Sequence, residues 1–310
     1  MKKIFITAFI IFSGLSALAQ QDAMFTHYSF NTLAVNSGYA GSRDALTVTG
    51  LHRSQWVNFP GAPTTQTLTA HAPIANEKIG LGFSILNDKI GPTQSTGINL
   101  DFAYKIKVGE KGKLAFGLKG GLNLRSNRLS TEVSTTETGD NAFQNDIQTD
   151  LLPNFGFGLY YSNPKMYVGL STPRLLENDL DENNTSSITA REQRHYFLIA
   201  GTVFPLNESG SVKLRPTTFF KITQGAPAEL DLTALFYFQD KYWVGPMLRT
   251  TDAVGVLAGL NITDQFSLGY SFDWSYGNKT ASYNAGSHEL MLRYDFIFKN
   301  KGKILSPRYF

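Results

Sequence analysis

Apolar and polar residues alternate along most of this chain with a period of two. In residues 79–85, Ile79, Leu81, Phe83 and Ile85 alternate with Gly80, Gly82 and Ser84; further on, Ile98, Leu100, Phe102, Tyr104 and Ile106 alternate with Asn99, Asp101, Ala103 and Lys105. The pattern recurs at Leu114, Phe116, Leu118 and Leu122 against Gly117, Lys119, Gly121 and Asn123, and at Phe266, Leu268, Tyr270 and Phe272 against Ser267, Gly269, Ser271 and Asp273. In the last segment Leu290, Leu292, Tyr294 and Phe296 oppose Glu289, Arg293 and Asp295. This period sends successive side chains to opposite faces, so each segment predicts a strand with one apolar face. Fourteen such segments are centred near residues 51, 68, 82, 101, 118, 157, 168, 199, 216, 234, 245, 258, 270 and 292. A half-exposed antiparallel sandwich is one way to use them, but its strands rarely carry Arg, Asp, Lys and Gly on the second face in so many copies. A barrel with lipid outside and a polar lumen inside requires that pattern. The predicted fold class is all-β: a transmembrane antiparallel β-barrel of about 14 strands, preceded by an irregular amino-terminal segment.

The connections alternate in length. Links at 75–78, 109–113, 162–165, 206–210, 239–241 and 263–265 are tight and polar, whereas the opposite set includes the long stretches 126–150, 173–192 and 275–287. With an even strand number, short links at one membrane face and long ones at the other predict both termini in the periplasm and the long loops outside.

Composition fits this reading. The 28 glycines, 14 tyrosines and 23 phenylalanines supply small lumen-facing positions and aromatic girdles. Residues 1–19 combine Lys2 and Lys3, a short apolar run and Ala17-Leu18-Ala19, which predicts a secretory signal peptide cleaved after Ala19. Beyond it no apolar run approaches the ~20 residues of a membrane-spanning helix, which excludes a helical membrane protein. The chain has no cysteine, so disulfides, thiolate metal sites and a lipoprotein anchor are excluded. The net charge of +3 averages over segments of opposite sign. Glu132, Glu137, Asp140, Asp146 and Asp150 stand against Arg128 in one long loop, and five carboxylates stand against two arginines in 173–192. The tail carries Lys299, Lys301, Lys303 and Arg308, so the charge gives no ground for a nucleic-acid partner. The expected organisation is a signal peptide (1–19), an amino-terminal coil and candidate plug (20–45), the barrel (46–298) and a basic periplasmic tail (299–310).

The coil is neither alternating nor helical. Phe25, Tyr28, Phe30 and Tyr39 sit among Asn31, Asn36 and Ser37, closing on Gly38 and Gly41. Four aromatics outside any strand predict docking against or into the periplasmic mouth of the barrel. A hairpin follows, with residues 46–57 and 64–72 flanking the turn NFPGAP. The sequence QQDAMFTHYSFNTLAVNSGYAGS, followed by LHRSQWVNFPGAPTTQTLTAHAPI, resembles the opening signature of the PorP/SprF family of type IX secretion outer-membrane proteins. Phe25, Tyr28, Phe30, Asn31, Asn36, Tyr39, Ala40, Gly41 and Ser42 carry the first part of the likeness; Arg53, Gln55, Trp56, Gly61, Ala62, Pro63 and Thr64 carry the second. Thr32 and Ser37 stand where the family usually has proline, so this coil has fewer fixed φ angles than its relatives.

The sequence carries few residues in patterns that support catalysis or metal binding. Of the histidines His27, His52, His71, His195 and His288, the pair His52 and His71 on neighbouring strands invites the question of a hydrolase, but neither G-x-S-x-G nor H-E-x-x-H occurs. Asp179, Asp181 and Glu182 are close together, yet 178–184 lacks the ligand spacing and glycine of a calcium loop. No catalytic, cofactor or metal residues are assigned. Lys105, Lys119, Arg125, Lys213, Arg215, Lys221, Arg249 and Arg293 project from polar faces and can pair with Asp101, Asp231, Asp273, Glu289 and Asp295, which fits either a charged pore or a salt-bridged lumen. Arg53, Gln55 and Trp56 suit a partner-binding patch or a girdle anchor equally. The resemblance implies a non-enzymatic role in secretion or surface attachment of large adhesins of the gliding type. Its implied partners are outer-membrane lipids, the adhesin cargo, and periplasmic peptidoglycan-binding and ring components. Phe25, Tyr28, Asn31, Asn36, Tyr39, Gly41, Arg53, Gln55, Trp56, Gly61 and Pro63 are the motif positions for partner binding or structure. A passive or fatty-acid-type channel is the second reading, and an outer-membrane hydrolase the third.

Overall fold

The computed structural model describes residues 23–74, 77–128, 147–178, 191–250, 252–276 and 282–297, with only the backbone described for 147–150. The expected signal peptide, the basic tail 299–310 and most of the two acidic stretches, Asp179, Asp181 and Glu182 included, lie outside these residues.

The period-two segments form an antiparallel sheet closed on itself. Its strands are β1 (Leu46–Ser54), β2 (Thr64–Ile74), β3 (Ile79–Ile90), β4 (Thr93–Val108), β5 (Gly112–Asn127), β6 (Ile147–Ser162), β7 (Met166–Thr172) and β8 (His195–Thr202). After the two-residue β9 (Phe204–Pro205), which continues the line of β8, come β10 (Val212–Thr223), β11 (Glu229–Phe238), β12 (Tyr242–Arg249), β13 (Ala253–Asn261), β14 (Phe266–Ser275) and β15 (Ser287–Phe296). Each strand pairs with its neighbour in sequence, β8 with β10 across the break, and β1 closes the ring against β15 from Leu46↔Phe296 to Ser54↔His288. Fourteen strands therefore make the wall, with β9 as an appendage. Closure leaves no unpaired edge, which a sheet in hydrocarbon requires. Among the described residues no helix is long and apolar enough to cross a membrane; the strands do the crossing.

Alternation sets the two faces. Leu81, Phe83, Leu100, Phe102, Leu118, Leu290 and Leu292 point outward and are exposed, while Asp101, Lys105, Lys119, Glu289, Arg293 and Asp295 point inward and are buried. The barrel is thus an inverted globule whose large apolar surface faces lipid. Turns of a few residues join the strands at one mouth, and the longer connections gather at the other.

The lumen is filled by the chain itself. Residues 25–41 are buried apart from half-buried Ala34, and they carry one helical turn, α1 (Thr32–Val35), and one 3-10 turn (Ser37–Tyr39). Rather than resting at one mouth, the segment runs the height of the barrel. Thr26 and His27 lie beside Arg53, Asp273 and Glu289, near the long-loop ends of their strands; Gly41 and Arg43 lie beside Ala72, Gly80 and Asp295 near the short-turn ends. The described chain consequently begins at the long-loop mouth, and its last strand ends at the short-turn mouth. The two termini, expected on one side, lie outside the described residues; the strand count alone cannot register a segment that crosses the barrel through its interior.

Glycine in the wall makes room for this segment. A Cβ on Gly80 would overlap the carbonyl of Ala40, one on Gly117 the backbone at Ser37 and Gly38, and one on Gly158 the amide of Asn36. Gly50, between inward Thr49 and Leu51, has nothing within 4 Å of its Cβ direction. Gly80→Val and Gly117→Val are expected to strain the packed lumen by about 1–3 kcal/mol each and to lower the temperature of the heat-induced gel-mobility shift of the purified barrel. Gly50→Val should leave that temperature unchanged; a Gly80→Val barrel as heat-resistant as Gly50→Val would contradict the packing.

Candidate functional site

The candidate site is the filled lumen with the rim above it. Three inward carboxylates fix the buried segment at its two ends. Glu289 accepts hydrogen bonds from the backbone amides of Thr26 (2.8 Å) and His27 (2.7 Å) and faces the His27 Nδ1 at 2.7 Å. Asp273 accepts from the Thr26 hydroxyl at 2.7 Å, and Arg53 lies 2.6 Å from Asp273 and 3.2 Å from Glu289. At the other end Arg43 forks onto Asp295 at 2.8 and 3.2 Å, the Thr47 hydroxyl donates to the same carboxylate, and the Lys105 ammonium donates to the carbonyl of Gly41. Buried carboxylates are tolerable here because each faces a cation and accepts further hydrogen bonds.

Between the anchors, the motif asparagines replace water as partners of the wall. Asn31 donates to the Thr67 hydroxyl at 2.7 Å and accepts from Thr69 at 2.8 Å. Asn36 donates to the carbonyls of Leu159 (3.0 Å) and Leu170 (3.3 Å) on adjacent strands, while its own oxygen accepts from the amide of Gly38. Ser171 donates to the carbonyl of Val35, and Arg215 to that of Ser29 at 3.1 Å. The aromatics provide the apolar packing: Phe30 stacks on Trp243 at 4.7 Å beneath the Arg215 guanidinium, Tyr28 packs on Phe219, and Tyr39 meets Tyr160 edge-on at 5.3 Å. The Tyr28 hydroxyl shares a hydrogen bond with that of Thr217 at 3.1 Å.

Other inward cations are paired with carboxylates, while Arg215 is held by the Tyr237 hydroxyl and the Ser29 carbonyl. Arg249 and Lys221 share Asp231 and Glu229, and Lys119 pairs with Asp101 at 2.9 Å. Of the two readings left open for the cationic faces, this is the salt-bridged lumen. Lys213 differs, pairing with Asp240 near the short turns, where both are partly exposed.

The second half of the motif divides in two. Arg53 is 1 % exposed and points into the lumen, so its ion pairs are internal and it cannot serve as a surface patch. Gln55, Trp56, Gly61 and Pro63 form the rim of the long-loop mouth. The Gln55 amide donates to the Pro63 carbonyl, Gly61 has φ +74° and accepts from the Gly91 amide, and Trp56, at φ 45°, donates its indole N–H to Ser275. Val57 exchanges backbone hydrogen bonds with Ala285 and Gly286, which binds the rim turn to the connection before β15. Tyr28, Asn31, Asn36, Tyr39 and Gly41 all lie in the lumen, as does Phe25. Sequence reasoning missed Asp273 and Glu289 as anchors of this segment: Glu289 takes backbone amides, which leave no mark in a sequence, and Asp273 takes the hydroxyl of Thr26, 247 residues away in the chain.

Among the described residues the histidines form no catalytic constellation. His52 is exposed on the outer wall, hydrogen-bonded to Ser54 and Gln66, whereas His71 is buried on the inner one, so the two never meet. His288 also lies on the outer wall, against the Tyr270 hydroxyl, and not in the lumen. Among the described residues no group of three His, Cys, Asp or Glu is placed to hold a metal ion.

Comparison with solved structures finds other outer-membrane proteins at low similarity. Omp33 of Acinetobacter baumannii aligns over 83 % of this chain and 100 % of its own, with 9 % identity and a TM-score of 0.46. A Pseudomonas aeruginosa FadL homologue aligns over 87 % and 94 %, with 11 % identity and a TM-score of 0.46. No curated protein matches the sequence. The family described as type IX secretion system membrane protein PorP/SprF matches residues 17–294, which takes in the buried segment, the rim and nearly every strand. This chain therefore belongs to the PorP/SprF family, and is an outer-membrane β-barrel component of the type IX secretion system.

Proposed function

We propose that the protein is a non-enzymatic accessory of type IX secretion that aids the secretion or surface attachment of large adhesins, working through its surfaces and not through its lumen. One observation carries this reading: residues 25–41 occupy the lumen from mouth to mouth and are bonded to both ends of it. A conduit would need that space. The proposed sides are long loops outward and short turns inward. The acidic stretches 126–150 and 173–192 would then meet an exported partner, and the basic tail 299–310 would meet peptidoglycan-binding and ring components in the periplasm. The rim at Gln55, Trp56 and Gly61, backed by buried Pro63, would supply a docking surface at the outer mouth, with Trp56 the side chain best suited to anchor a partner.

Deleting the gene is expected to abolish display of a specific large adhesin while leaving small-solute permeability and other type IX cargo nearly unchanged. Surface immunolabelling and an uptake assay on the same cells check it; retained adhesins with lost solute uptake would favour the channel.

The two halves of the motif are expected to separate on mutation. Arg53→Ala leaves Asp273 and Glu289 without their buried cation, which should cost roughly 3–5 kcal/mol and appear as a lower unfolding temperature. Trp56→Ala should keep the heat-resistant barrel and reduce adhesin display several-fold. Normal display by Trp56→Ala would remove the rim from the docking surface.

A further inference from the structure

The direction of the buried segment has a consequence for the amino end of the chain. At the long-loop mouth, on the side of the lumen away from Glu289, a small cleft of about 100 Å³ lies between Phe197, Phe219, Asn154 and Arg174. Ala23, Met24 and Phe25 form part of its lining, so the first described residues stand in the mouth that the long connections surround. From there the path runs only toward the short turns. Thr26 and His27 are held at Glu289, two residues into β15 from its long-loop end; Asn31 is held at Thr67 and Thr69; Gly41 and Arg43 are held where β3 begins and β15 ends. β1 then carries the chain back up to the long-loop mouth, so residues 26–54 make one descent through the interior and one ascent in the wall.

We infer that the amino-terminal segment threads the barrel from the long-loop side, and that the mature amino terminus stands at the long-loop mouth, opposite the carboxyl end of β15. The expected cleavage after Ala19 would leave residues 20–22 ahead of Ala23. Three residues reach at most about 10 Å when fully extended, against a hydrocarbon core ~30 Å thick. They cannot return to the short-turn mouth, even apart from the packed residues that fill the way. With the long loops outside, the amino terminus is a surface group flanked by the Phe197 and Phe219 cleft, and any partner that grips it does so on the outer face. The inference depends on the path of residues 23–45 and not on the secretion role, so either can fail alone.

The absence of cysteine makes the test direct. Single-cysteine variants Gln21→Cys, Gln224→Cys in the exposed connection between β10 and β11, and Ser209→Cys in the exposed short turn before β10 are treated with a membrane-impermeant maleimide, on intact cells and after permeabilising the outer membrane. A heat-modifiable band confirms that each barrel is folded. The expected result is that Gln21→Cys labels with Gln224→Cys on intact cells, at least tenfold more than Ser209→Cys, which reacts only after permeabilisation. A Gln21→Cys that follows Ser209→Cys, or that reacts in neither state, overturns the inference. A barrel inserted the other way would exchange Gln224→Cys and Ser209→Cys while Gln21→Cys still follows Gln224→Cys, so an error in orientation reads out separately. Asp22→Cys repeats the measurement one residue nearer the mouth.

Discussion

Glu289 makes the contact on which the interior depends. It accepts from two successive backbone amides of the amino-terminal segment while facing Arg53, and Asp273 ties the same arginine to the Thr26 hydroxyl. A carboxylate removed from water is costly unless paired and saturated with donors, and a backbone amide removed from water is costly unless it meets an acceptor. Each of these groups answers the need of the other. Remove the segment, and Glu289, Asp273 and Arg53 would face an open lumen; remove the carboxylates, and the segment would carry unpartnered amides.

From this anchor the arrangement propagates downward. The segment brings Phe30 to Trp243, Tyr28 to Phe219 and Tyr39 to Tyr160, so the lumen acquires an apolar core that the alternating wall does not supply alone. Gly80, Gly117 and Gly158 let its backbone approach the strands. The carboxylate at the other end, Asp295, receives Arg43 just before β1 begins, which fixes the place where the chain leaves the interior and joins the wall. One segment therefore sets the interior packing and the start of the first strand.

Much of this was legible in the sequence. Alternation at segments such as Ile98 to Ile106 and Leu290 to Phe296 reports which side chains face lipid, because a strand has only two faces and the solvents on them differ so sharply. The fourteen strands and the sides of Asp101, Lys119 and Arg249 followed from it. The path of the coil did not. A strand pattern records local periodicity, whereas the route of residues 25–41 is set by long-range contacts with backbone atoms, and those acceptors carry no residue signature. Arg53 stands beside Gln55 and Trp56 in one run of motif, which suggested a common patch or girdle anchor, and only the structure separates the lumen half from the rim half. The inward lysines and arginines could have served a pore or a closed interior, and the choice rested on three-dimensional pairing: Lys119, Lys221 and Arg249 meet carboxylates, while Lys105 and Arg215 meet carbonyls of the buried segment.

A barrel filled in this way has its surfaces left to work with, and the family to which it belongs is one of secretion components. On the proposed reading that work falls to the rim held at Trp56 and Gly61. The most direct measurement is the conductance of the purified protein in planar lipid bilayers. The account predicts no steady conductance from the intact chain and an open, ohmic conductance when residues 20–42 are deleted from a barrel that still shows heat-modifiable mobility. A steady conductance from the intact chain equal to that of the deletion variant would contradict it.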